Sequence, residues 1–183
     1  MARLIFETNN KLQLRDTILQ KHSKEQRDKI VQWVGDDQKR FDQLLKLFLH
    51  DEHQVTQRAG WPLSYCIQGH PRFIKKGFAA LIRNLHKQGI HDAVKRNTVR
   101  ILQDIEIPKK HQGQVMNICF TYLESMDEAV AVKAFSLTVL GKLARLYPDI
   151  LREIKLLIGD QLANQTPAFI SRAKKILKEF PNL

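Results

Sequence analysis

A pattern that returns at intervals of 39, 38 and 37 residues constrains the fold of this chain more than any other feature. It consists of an apolar residue, a small residue four positions later and, in each copy, a leucine four after that. The copies are Val55/Ala59/Leu63, Val94/Thr98/Leu102, Val132/Ser136/Leu140 and Phe169/Ala173/Leu177. Spacing of i, i+4, i+8 sets all three side chains on one face of an α-helix. The small middle residue allows a neighbouring helix to come close. Self-similarity at a period near forty marks an array of stacked helical units, each too small to bury its apolar face alone.

Punctuation recurs with the same period. A bulky residue followed by proline closes each copy: His70-Pro71, Ile107-Pro108, Tyr147-Pro148 and Phe180-Pro181. The first three prolines suit the opening turn of a following helix, where a missing N–H costs nothing. Ser125 to Glu128 reads as a capping box, and Thr166-Pro167 as an N-cap with a first-turn proline. Between the repeat helices lie apolar stripes of helical spacing. These are Phe41/Leu44/Leu45/Phe48, Ile74/Phe78/Leu81/Ile82/Leu85, Val115/Ile118/Cys119/Tyr122 and Ile150/Ile154/Leu157/Ile158. No segment alternates with period two. The pattern predicts a single domain over 1–183, with an N-terminal cap over 1–36 and four helix pairs over 37–180. The pairs fall at about 37–68, 71–106, 108–146 and 148–180. Ser23 is expected to cap a short helix over 24–34, and residues 1–10 are expected to fray.

The Val-Lys-x-x-small-x-x-x-Leu helices, at Val94-Lys95 and Val132-Lys133, resemble the second helices of HEAT repeats over roughly 37–180. The resemblance implies an all-α fold, a right-handed α-α superhelix of the HEAT/armadillo kind, with the second helices lining its concave side. More narrowly, His91 to Asn97 and Val130 to Phe135 resemble a family of small bacterial HEAT-like proteins of unassigned function, in which the name adenylosuccinate lyase also occurs. That name has no support here. The lyase superfamily needs a serine-rich loop of the Ser-Ser-x-Met-Pro type for its catalytic base, and this chain has no Ser-Ser pair.

Composition narrows the class of function. A hydrophobic share of 43% beside 27% charged residues suits a folded domain and argues against disorder. No apolar run approaches the ~20 residues that span a bilayer, and no signal peptide is indicated, so a cytoplasmic protein without membrane insertion is expected. Cys66 and Cys119, each within an apolar helical segment, read as reduced core residues. The net charge of +11 raises the prospect of a polyanionic partner. Its spread is even, with 16 basic and 10 acidic residues over 1–92 and 14 and 9 over the remainder, so there is no basic arm.

Signatures of chemistry are missing from the chain: no phosphate-cradling Gly-rich loop, no Gly-x-Ser-x-Gly, no His-Glu-x-x-His and no Cys-x-x-Cys. No catalytic residue, cofactor or metal ligand is predicted. His50-Asp51-Glu52-His53 is the densest group of metal-ligating types. It lies at an expected turn without a third or fourth ligand at a telling distance, and reads as a solvated, capping segment. Trp61, between Gly60 and Pro62, is either a base-stacking platform or a filler of space beside a proline kink; packing is the favoured reading. Trp33 reads as a core residue of the N-terminal cap.

The candidate binding residues are Arg58, Trp61, Arg96, Asn97, Arg100, Lys133, Arg172 and Lys175, with Lys174 nearby. Most fall two to six positions after a repeat anchor, where side chains should point away from the core and line one groove. The expected function is a non-catalytic protein-interaction or scaffold module, with another protein as partner. The alternative is a nucleic-acid-binding protein. In charge and architecture the chain resembles the HEAT-like alkylpurine DNA glycosylases, which frame a lesion with tryptophans and an aspartate. Trp61 is the one tryptophan within these repeats, and Asp92 or Asp104 would have to supply the acid.

Overall fold

A computed structural model describes residues 13–162 and 165–181. The expected fraying of residues 1–10 lies outside them. Every regular element among the described residues is helical. Residues 13–20 form α1. The other α-helices are α2 Lys24–Val34, α3 Gln38–His50, α4 His53–Gly69, α5 Phe78–Asn84, α6 Asp92–Asp104, α7 Lys109–Glu124, α8 Val130–Ala144, α9 Leu151–Gln161 and α10 Pro167–Glu179. Short 3-10 turns at Pro71–Ile74 and Pro148–Ile150 precede α5 and α9. The chain divides into two compact units, Met1–Ile101 and Leu102–Leu183.

The repeat is written directly into burial. The four small middle residues, Ala59, Thr98, Ser136 and Ala173, are each 0% exposed. The anchors Val55, Val94, Val132 and Phe169 are buried with them. In the first unit α3 packs along α4, and α2 covers a further part of α4. In the second unit α8 carries both α7 and α10, so successive repeat helices stack on one another there. Gly141 makes that stacking close: a Cβ at this position would lie 2.9 Å from Ile176 Cδ1.

Local signals explain several boundaries. The Ser23 hydroxyl accepts from Gln26 N at 3.2 Å at the start of α2, as expected of an N-cap. Asp37 caps α3 by accepting from Lys39 N and Arg40 N. Pro167 stands in the first turn of α10, with Thr166 at the N-cap. The capping box does not form, however. Ser125 is the C-cap of α7, its N–H bonded to Thr121 O, and α8 starts only at Val130. Residues 125–129 are consumed in reversing the chain, and Glu128 Oε1 accepts instead from the adjacent Ala129 N.

The first helix of the expected 71–106 pair is also shorter than its apolar stripe. Lys75-Lys76-Gly77 separates the 3-10 turn from α5. A Cβ on Gly77 would come within 2.3 Å of Leu45 Cδ2, so glycine lets this segment press on α3. Pro62 neither breaks nor ends its helix. Having no N–H, it leaves the Arg58 carbonyl without its helical donor, yet α4 runs on to Gly69.

Candidate nucleic-acid or protein interface

In the first unit, the candidate residues on α4 are held by the N-terminal helices. Arg58 Nη1 donates to the Leu19 carbonyl at 2.6 Å, near the end of α1. Trp61 is partly covered. The Arg27 guanidinium lies 4.8 Å from its ring centre and 4.0 Å from that of Tyr65, and the His22 ring stands 5.5 Å away. Arg27 is only 7% exposed and pairs with Asp28 at 2.6 Å. The cation thus stacks against two aromatic faces, which favours burial of its apolar stem and charge together. Sequence reasoning missed Arg27, because nothing in its local pattern sets it apart from the solvated lysines around it.

On α6, Arg96 is exposed, Arg100 is half-buried and Asn97 is buried. The expectation that all three point away from the core fails at Asn97. Its side chain fills the space above Gly60, where a Cβ would meet Asn97 Nδ2 at 2.2 Å. Asp92, one of the two aspartates considered as a lesion-framing acid, pairs with Lys95 at 3.5 Å.

The turn between α3 and α4 is a structural junction. Arg15 reaches both Asp51 and Glu52 at 3.0 Å, and the Thr56 hydroxyl donates to the Asp51 carbonyl. His53 and His91 stack edge to face with centres 4.0 Å apart, and His91 Nδ1 accepts from Ala93 N at the start of α6. Among the described residues, no group of three or more His, Cys, Asp or Glu side chains could hold a metal ion.

In the second unit a groove of about 580 Å³ runs between α8 and α10. Four cations line it: Lys142, Arg145, Arg172 and Lys175. Glu179 is the one carboxylate among the lining residues, and Arg145 grips it through two bonds, at 2.5 and 3.0 Å. That hydrogen-bonded pairing holds the Glu179 carboxyl below, and the Arg145 guanidinium above, their ordinary values. Arg172 lies 5.1 Å over the Phe135 ring and donates to the Ala168 carbonyl, which orients its guanidinium. Lys142 Nζ donates to the carbonyls of Gln103 and Ile105. Burial depresses its pKa, with Asp104 and Glu106 opposing the shift. The groove therefore gathers four cations, of which Lys142 is partly desolvated, around one lining carboxylate, an arrangement that favours an anion.

Of the residues expected to line a groove in this half, Arg172 and Lys175 do so. Lys133 lies outside it: it is 3% exposed, donates to Gln161 Oε1 at 3.1 Å and borders a separate cavity of this unit. Lys142 and Arg145 are not foreseen by the repeat because they fall ten and thirteen positions after the anchor Val132, beyond the two to six that carry its exposed side chains. Lysine and arginine three apart near a helix C-terminus was the signal available.

Both cysteines are free and buried, and burial pushes each thiol up to about 12. No helix among the described residues is long and apolar enough to cross a membrane. A family model described as the HEAT repeat domain matches residues 14–180. No curated protein and no solved structure matches the chain.

Proposed function

Since the chain belongs to the HEAT repeat domain family, we propose that it is a non-catalytic interaction module whose α8–α10 groove takes an acidic segment of a protein partner. HEAT repeats are in general scaffolds for protein interaction, and stacked repeats present long, rigid surfaces. The observation that carries the reading is the convergence of Lys142, Arg145, Arg172 and Lys175 on one groove with a single carboxylate among them. Acidic side chains of an extended segment would exchange water for bidentate and charge-assisted bonds there.

A protein partner is favoured over a single-stranded nucleic acid by the state of the aromatic residue that would stack a base. The face of Trp61 is shared with the Arg27 guanidinium, and the neighbouring Arg58 donates to the Leu19 carbonyl. Stacking on exposed aromatic faces supplies much of the affinity for single strands.

The test is fluorescence anisotropy with a labelled glutamate-rich peptide and with labelled single- and double-stranded oligonucleotides, at about 50 and 150 mM salt. The peptide is expected to bind and to weaken as salt rises. The double variant Arg172→Glu/Lys175→Glu should cost it ~10-fold or more in affinity. Peptide binding that survives this double variant unchanged would remove the groove from the account. Tighter oligonucleotide binding at both salt concentrations would make the partner a nucleic acid.

A further inference from the structure

A second cavity of the second unit has a different character from the basic groove. It has a volume of about 490 Å³, within the ~300–1,000 Å³ typical of small-ligand sites. Its apolar wall is Met126, Val130 and Leu157; Glu124, Glu128 and Asp160 supply carboxylates. Met126 is 86% exposed, so the structure leaves this large apolar side chain uncovered at the cavity.

The polar lining is organised by a chain of hydrogen bonds whose direction is determined. Leu123 O can only accept, so Gln161 turns its Nε2 toward it, at 2.7 Å. Gln161 Oε1 is then the acceptor, and it receives both Lys133 Nζ and Gln165 Nε2 at 3.1 Å. Gln165 is oriented in turn, with its amide nitrogen toward Gln161 and its oxygen away. That Oε1 is buried and meets no hydrogen-bond partner. Lys133 is 3% exposed and has three N–H donors, of which Gln161 takes one. A buried ammonium with donors to spare and a buried carbonyl oxygen without a partner are both unfavourable until a ligand supplies the missing bonds.

We propose that this cavity binds a small ammonium–carboxylate zwitterion with an apolar side chain, of the α-amino-acid kind. The ligand carboxylate would accept from Lys133 Nζ. Its ammonium would donate to Gln165 Oε1 and lie in the field of Glu124, Glu128 and Asp160, and its apolar part would cover Met126 and Leu157. A simple carboxylate satisfies only the lysine and meets repulsion from the three acids. A simple amine satisfies only the acids and the Gln165 oxygen, leaving the buried ammonium as it was. The zwitterion answers both.

The experiment titrates the full chain with L-leucine, isovalerate and isoamylamine up to about 20 mM, following backbone amide signals by NMR. L-leucine is expected to move the signals of Glu124, Met126 and Gln161, with the two single-charge analogues at least ~10-fold weaker. Lys133→Met keeps most of the apolar stem while removing the ammonium and should abolish the response to leucine. Asp160→Asn, at an exposed position that cannot threaten the fold, should weaken leucine while leaving isovalerate unchanged or slightly tighter. The proposal is overturned by leucine shifts no larger than those of isovalerate, by undiminished leucine binding in Lys133→Met, or by no response to leucine at about 20 mM. Groove variants such as Arg172→Glu should leave the leucine response intact, which separates this site from the peptide-binding reading.

Discussion

At the scale of single residues, close packing decides roles that charge and exposure alone would assign differently. Gly60 and Asn97 are the sharpest case. Alanine is the better helix former, so in an open helix Gly60→Ala would gain ~1 kcal/mol. Here the added methyl would lie 2.2 Å from the buried Asn97 amide, which has little room to withdraw. Overpacking of that kind costs ~1–3 kcal/mol, so Gly60→Ala should lower the urea midpoint, with partial recovery in Gly60→Ala/Asn97→Ser. At Gly141 the opposing atom is the tip of Ile176, which can rotate, and Gly141→Ala is expected to be near neutral by the same measurement. The thiols follow the same logic. With both raised to about 12, neither should react with a thiol-specific disulfide reagent at pH ~8 until the chain unfolds. The unfolded thiols ionise first, so this contribution is whole below about pH 9 and is lost as pH rises from there toward 12. Residue roles were the least legible level in the sequence. Lys133 adjoins the anchor Val132, and that position predicts a place on the groove of the repeat helices. A neighbour one step round a helix lies ~100° away, and on α8 that flank is covered by Gln161 of α9.

At the scale of elements, the sequence was far more informative, because period and punctuation act within one helix. The Ser23 cap and the stripes of α3 and α7 are local signals, and helices with those residues buried form where they lie. Failures came where an element's end is set by what lies across from it. The Ser125–Glu128 box yields to the reversal between α7 and α8, and the Ile74–Leu85 stripe is cut where Gly77 presses on Leu45. Docking of α10 illustrates how an element is held once formed. Phe169, Ala173 and Ile176 are its buried residues, and α8 is the helix it packs against most extensively. Phe169 is 0% exposed. Its truncation in Phe169→Ala should cost ~3–5 kcal/mol, read as a lowered denaturation midpoint. The Arg145–Glu179 pair joins the same two helices across an exposed edge, where such pairs contribute ~0–1 kcal/mol. Glu179→Gln should therefore barely move the midpoint, while removing the one carboxylate of the groove and tightening its hold on an acidic peptide.

At the scale of the whole molecule, the determining quantity is a net charge of +11, spread over both halves of the chain. Self-repulsion of that charge disfavours the compact state and is screened by salt. Raising sodium chloride from about 10 to 150 mM should increase the melting temperature measured by calorimetry, through screening alone. A binding groove adds something screening cannot supply. A glutamate-rich peptide at the same ionic strength should raise the melting temperature further, because a ligand bound only by the folded state stabilises it in proportion to its saturation. The increment should vanish in Arg172→Glu/Lys175→Glu, while the sodium chloride effect shrinks only in step with the reduced charge. Equal increments from peptide and simple salt in the unaltered protein would mean that the charge acts diffusely, and that Lys142, Arg145, Arg172 and Lys175 share a groove without forming a site.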